Sequence, residues 1–103
     1  MADIRIEDYI PFGHANAVTR IELVNRTGLS DRSVRELINE ARKNGACIIN
    51  LSDGKGYFYP TVDEYMLLRG YIAQEESRAK DIFASIKGCK AYLEDITRKR
   101  ITT

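Results

Sequence analysis

Six polar residues between Arg32 and Lys43 have the types and the spacing to read a nucleic acid. Arg32, Glu36, Asn39 and Lys43 recur every three or four positions, with Arg35 and Arg42 beside them. On a helix that spacing gathers side chains on one face. The chemistry open to such a face is hydrogen bonding to base edges. Arginine can make paired bonds to guanine, asparagine to adenine, and a carboxylate can accept from cytosine. Glu36 favours base reading over simple phosphate gripping, because a carboxylate has little use against a phosphate chain. The plainer account of the same residues is a solvated helix face. Lys55 stands in Gly54-Lys55-Gly56-Tyr57, a turn that would carry its ammonium outward to a phosphate, a minor groove or water. Thr19 and Arg20 stand where a helix begins, and helix N-termini attract phosphate. Thr19 also suffices there as an ordinary cap.

Other reactive side chains are few. His14 is the sole histidine, so Cys2His2 and Cys3His zinc sites are excluded and a Ser-His-Asp triad could draw only on it. In the loop after Pro11 it reads as a hydrogen-bonded loop histidine. Cys47 and Cys89 lie far apart in no CxxC pattern; Cys47 is expected as a small buried hydrophobe and Cys89 as an interface filler. Tyr57, Phe58 and Tyr59 could stack on bases, though strand alternation turns one face inward. No nucleophile, base and oxyanion donors assemble, so no enzyme, catalytic residue, cofactor or metal is expected. No apolar run approaches the ~20 residues of a membrane span, and no signal-peptide pattern opens the chain. Unpaired thiols without an export signal point to the cytoplasm.

The elements that must position these residues can be read in order. The 103 residues leave room for one small domain and an extension. Apolar residues at Ile4, Ile6, Tyr9 and Ile10 predict a short helix rather than a strand, ended by Pro11; Phe12 to Ala17 reads as a loop. Thr19-Arg20-Ile21-Glu22 is a capping box. The helix it opens runs from Arg20 to Thr27 and closes at Gly28. Ser30 or Asp31 caps the next helix, in which Val34, Leu37, Ile38 and Ala41 form an apolar stripe. Asn44-Gly45 ends it. Ala46 to Leu51 and Tyr57 to Tyr59, joined by a glycine-bearing turn, predict a hairpin that Pro60 ends. Thr61-Val62-Asp63-Glu64 is a second capping box. It starts a helical stretch with no strong breaker before Gly88, followed by a further piece to about Arg98.

Two short helices around a glycine turn, then a hairpin, predict a mainly α fold with a small β-hairpin, α+β in class. The run Gly28-Leu29-Ser30-Asp31-Arg32-Ser33-Val34-Arg35, then Asn44-Gly45 and Gly54-Lys55-Gly56-Tyr57, resembles winged helix-turn-helix repressor domains. Among them is the N-terminal domain of the biotin-operon repressor, whose wing likewise carries Gly-Lys-Gly-Tyr. With Ile10-Pro11-Phe12-Gly13-His14 included, nearly the whole chain is similar to small winged-helix proteins of phages and prophages of Gram-positive bacteria. Val24 stands where a helix crossing usually takes alanine or glycine, and Thr27 where an apolar residue is usual. The resemblance implies double-stranded DNA as partner. The outer face of the helix after Ser30, the start of the helix before it and the turn of the hairpin then give Thr19, Arg20, Arg32, Arg35, Glu36, Asn39, Arg42, Lys43 and Lys55 as the expected contacts.

Charge and periodicity organise the rest. Residues 19–60 carry seven bases against five acids, residues 61–86 three against five, and residues 87–103 five against two. Tyr65, Leu68, Ile72, Glu75, Ala79, Ile82, Ile86, Cys89, Leu93 and Ile96 keep an a/d register. Exposed apolar surface on that scale marks an interface. The stretch is expected to dimerise through Tyr65, Leu68, Ile72, Ala79, Ile82, Phe83, Ile86 and Leu93; folding back on the domain is the other arrangement. The expected organisation is a winged domain over 1–60, a long helical dimerisation segment over 61–98 and a disordered basic tail over 99–103. The expected function is a sequence-reading, homodimeric DNA-binding protein, a transcriptional regulator or replication accessory factor. The rival, suggested by the near-neutral total charge and Glu36, is a protein-interaction module that inhibits a host protein or nucleoprotein.

Overall fold

A computed structural model describes residues 4–102, and the chain divides into two compact units, Met1–Tyr71 and Ile72–Thr103. The fold is mostly helical with one small antiparallel sheet, in agreement with the α+β expectation.

In the first unit a 3-10 turn, Ile6–Tyr9, precedes a second, His14–Asn16. Helix α1 spans Arg20–Thr27. The Thr19 hydroxyl accepts from the Glu22 N–H at 3.2 Å, and the Glu22 carboxylate accepts from the Thr19 N–H at 3.4 Å, completing the capping box. Gly28 ends α1 at φ 75°, a left-handed conformation that glycine adopts without Cβ strain. Thr27 has a structural reason to be polar. Its hydroxyl donates to the Leu23 carbonyl (2.7 Å) and accepts from the Leu29 N–H (3.2 Å), so it stitches the turn between the helices. Helix α2 spans Asp31–Lys43, and its cap is Ser30, whose hydroxyl accepts from the Ser33 N–H at 3.1 Å.

Val34, Ile38 and Ala41 of α2 are buried, packed with Leu23, Ile6, Ile10, Val18, Ile48 and Tyr57; Leu37 and Val24 are partly buried against them. This cluster fixes which side of α2 faces out.

Strand β1, Ile49–Asn50, pairs antiparallel with β2, Tyr57–Phe58, with Ile49 opposite Phe58 and Asn50 opposite Tyr57. Both strands are shorter than expected. The Ala46 N–H is taken by the Ala41 carbonyl (2.9 Å), so that residue finishes α2 instead of starting a strand. Cys47 is exposed, not buried, because Ile48 and Ile49 take the inward positions. The segment read as a plain loop runs along the sheet: Tyr57 exchanges two backbone hydrogen bonds with Val18 (2.7 and 3.0 Å), and Tyr59 bonds to Pro11 and Gly13. Gly56, at φ 106°, lies so close to that segment that a Cβ would sit 2.0 Å from the Val18 carbonyl oxygen.

The second capping box closes a 3-10 turn, Val62–Glu64, ahead of helix α3, Tyr65–Ser85. Helix α4 spans Lys87–Thr102. The interruption falls at Ile86, and Gly88 lies inside α4, where an isolated glycine costs helix propensity without ending the helix. Residues 99–102 of the expected tail are helical; Thr103 lies outside the described residues. An ion pair from Lys99 to Asp95 (3.2 Å, one turn back) and the preference of cations for a helix C-terminus account for the added turn. No described helix is long and apolar enough to cross a membrane.

Candidate nucleic-acid interface

The stripe of buried residues on α2 orients its opposite side to solvent. Arg32, Arg35, Glu36, Asn39 and Lys43 are all exposed, and the Arg32 side chain is 88% open. Together they offer three cations, one carboxylate and one amide along about three turns. Arg32 and Glu36 are hydrogen-bonded to each other, Nε to Oε1 at 3.0 Å. Arg35 and Lys43 make no ion pair among the described residues.

Arg42 does not stand with this set. It is half-buried, its Nε donates to the Ile48 carbonyl at 2.8 Å, and its guanidinium lies 5.8 Å from the Tyr57 ring centre. Its work is to tie the end of α2 to the approach of β1. Arg20 is likewise engaged, with Nε 2.5 Å from Asp31 Oδ1, joining the starts of α1 and α2. That carboxylate holds the Arg20 guanidinium still further on its charged side. The Thr19 hydroxyl is taken up by Glu22 on both sides, as acceptor from the backbone and donor to Oε1 (3.2 Å).

The turn between β1 and β2 is built from side chains that mimic backbone. Asn50 Oδ1 accepts from the Ser52 N–H (2.9 Å), and Asp53 Oδ1 accepts from the Lys55 N–H (3.0 Å). Ser52 (φ 60°) and Gly54 (φ 87°) take left-handed conformations. Lys55 is exposed in this turn. Thr19, Arg20 and Ile21 line one shallow groove with Asn50, Ser52 and Tyr57, so the start of α1 and the root of the hairpin form one surface.

His14 is the connection that local sequence could not reveal. Its Nε2 lies 2.6 Å from Asp53 Oδ2, its backbone N–H donates to Glu64 Oε2 (2.8 Å), and its ring is 5.2 Å from that of Phe58. The partners are 39 and 50 residues away, beyond any local pattern. The Lys55 N–H, and then His14, hold the Asp53 carboxyl below its ordinary pKa. Backbone N–H groups of Thr61 and His14 do the same for Glu64. Among the described residues no three His, Cys, Asp or Glu side chains gather as a metal site.

Of the residues expected at an interface, Tyr65 and Leu68 belong to the first unit, and Leu68 is half-buried. Tyr65 is held by Arg69, which donates to its hydroxyl (3.0 Å). Ile72, Ala79, Ile82, Phe83, Ile86 and Leu93 belong to the second and are all exposed, as is Cys89. No family model matches the chain, and no curated protein or solved structure matches it either.

Proposed function

We propose that this protein is a winged helix-turn-helix protein that reads double-stranded DNA with α2 and works as a homodimer, as a transcriptional regulator or replication accessory factor of phage type. The observation that carries the reading is the outer face of α2. Arg32, Arg35, Glu36, Asn39 and Lys43 stand exposed over a buried Val34-Ile38-Ala41 stripe, on a helix set against α1 by a glycine turn and followed by a hairpin. Arginine, asparagine and glutamate at such a face match the donors and acceptors of the major groove. Lys55 supplies a flanking phosphate contact from the hairpin turn. Arg42 drops out as a contact, since its guanidinium is committed to the fold. Exposed Ile82, Phe83 and Leu93 support the homodimer.

A second reading keeps the fold and replaces DNA with a protein. The Arg32–Glu36 and Arg20–Asp31 pairs favour it, because they neutralise two of the cations on this side. Fluorescent duplexes titrated at several salt concentrations separate the two. DNA binding predicts an affinity that falls steeply with salt, as cations condensed on the duplex are released. Absence of binding to any duplex at low salt favours the protein partner.

A further inference from the structure

Two charged residues occupy the seam of the second unit. In the a/d register through Ile72, Ala79, Ile82, Ile86, Cys89, Leu93 and Ile96, Glu75 falls at a d position and Arg100 at the a position after Ile96. The Lys90 N–H donates to the Ile86 carbonyl at 2.9 Å, the opening bond of α4, so Ile86 alone separates the two helices. Apart from half-buried Ile96, the apolar seam residues are open, Ile82 at 63% and Leu93 at 64%. A second copy could cover them in either direction, and the charges distinguish the two.

In a parallel pair each layer joins like to like, so Glu75 would meet Glu75 and Arg100 would meet Arg100. Both layers would place like charges together in an apolar seam. In an antiparallel pair each a position meets a d position. One alignment sets Glu75 against Arg100 of the second copy. The same alignment sets Ala79 against Ile96, Ile82 against Leu93, and Ile86 against Cys89. Every apolar residue between the two charges then meets an apolar one.

We propose that residues 75–100 of two copies pair antiparallel in this register, closed at each end by a Glu75–Arg100 ion pair. The proposal rests on the homodimer reading above and gives it a direction and a register. The net charges do not oppose the pairing, since residues 75–87, with three acids and three bases, lie along residues 88–100, with four bases and two acids. Arg78 and Lys99 approach each other at the flank; Lys99 has Asp95 of its own helix at 3.2 Å, and Arg78 shares Glu75 (3.2 Å) with Arg100 of the second copy, which offsets their repulsion. Phe83, 67% exposed, lies beside the aliphatic stem of Lys90 of the second copy and widens the apolar strip.

Disulfide trapping and sedimentation test it together. In the full chain with Cys47→Ser and Cys89→Ser, Ile82→Cys alone should give no cross-linked dimer on mild oxidation. The two copies of residue 82 would be about 16 Å apart along the seam, too far for a disulfide. Adding Leu93→Cys to the same chain should make cross-linked dimer the main product. Glu75→Arg and Arg100→Glu should each weaken dimerisation by about tenfold or more. Both reversals in one chain should restore it to within about threefold of the unmodified protein. Cross-linking by Ile82→Cys alone, or a dimer indifferent to the single reversals, overturns the antiparallel register and leaves the homodimer standing. A monomer at micromolar concentration for the unmodified protein overturns both.

Discussion

Arginines of this chain divide by what already holds them. Arg35 is exposed and ion-pairs with no described residue, so its removal leaves no carboxylate orphaned and no cavity. Arg35→Ala should keep the melting temperature and weaken binding to the native duplex by about tenfold or more, the worth of one well-made base contact. A gel shift and a thermal melt on the same preparation check both halves. Arg42 is the converse. Its hydrogen bond to the Ile48 carbonyl is charge-assisted and half-buried, so Arg42→Ala should cost about 1–3 kcal/mol of folding stability. Denaturant unfolding reads this directly, and an unchanged midpoint would return Arg42 to the list of available DNA contacts. Sequence placed both arginines near one face; only the carbonyl of a residue six positions on separates their roles.

At the scale of elements, the hairpin is fastened at two places. Gly56 lets β2 run hard against the segment at Val18, where any Cβ would collide with a backbone oxygen. Gly56→Ala must open that contact and break the Val18–Tyr57 hydrogen bonds, at a cost of about 3 kcal/mol or more; Gly54→Ala, with open space at its Cβ and only its positive φ (87°) against it, should cost less. Comparing the two melts tests the collision. The other fastening is His14 with Asp53 and Glu64. Both carboxyls are held below their ordinary pKa, so the stability they contribute is present above the ordinary carboxylate range and is lost as pH falls through their folded values. Asp53→Asn should therefore flatten the acid side of the stability–pH curve, from about pH 5 downward, and leave neutral-pH unfolding closer to the parent than Gly56→Ala does. What sequence shows and hides follows the same division. Thr19 with Glu22, Gly28, and the stripe Val34-Ile38-Ala41 are patterns within one or two helical turns, and they fix α1, the turn and the inward side of α2. Val18 against Tyr57 and His14 against Asp53 are pairings across 39 residues, set by the closing of the sheet. Cys47 misleads for a related reason, since an apolar run cannot say which of its members start the strand. Gly88 misleads because propensity names the weakest residue of a helix, while the interruption falls at Ile86.

For the whole molecule, two measurements bear on the proposed assembly. On the proposed DNA-reading surface Arg35, Lys43 and Lys55 are exposed and make no ion pair among the described residues, and each phosphate neutralised adds about 0.9 to the slope of log affinity against log salt. A slope near zero would mean that these cations meet no phosphate. The second measurement concerns the helical segment. Each large apolar side chain on the seam gains roughly 1.5–3 kcal/mol on burial, and Ile82 and Ile86 stand in consecutive layers next to its middle. Ile82→Glu with Ile86→Glu puts four carboxylates into a dimer seam but touches no buried residue of the first unit. The double variant should sediment as a monomer while its near-neutral melting transition for the Leu23-Val34-Ile38 core persists. DNA affinity should drop as well, because a dimer brings two reading units to one duplex and a monomer loses that effective concentration. Loss of the folded core along with the dimer would mean that the segment is part of that core, and unchanged sedimentation would mean that the seam lies on another side of the helix.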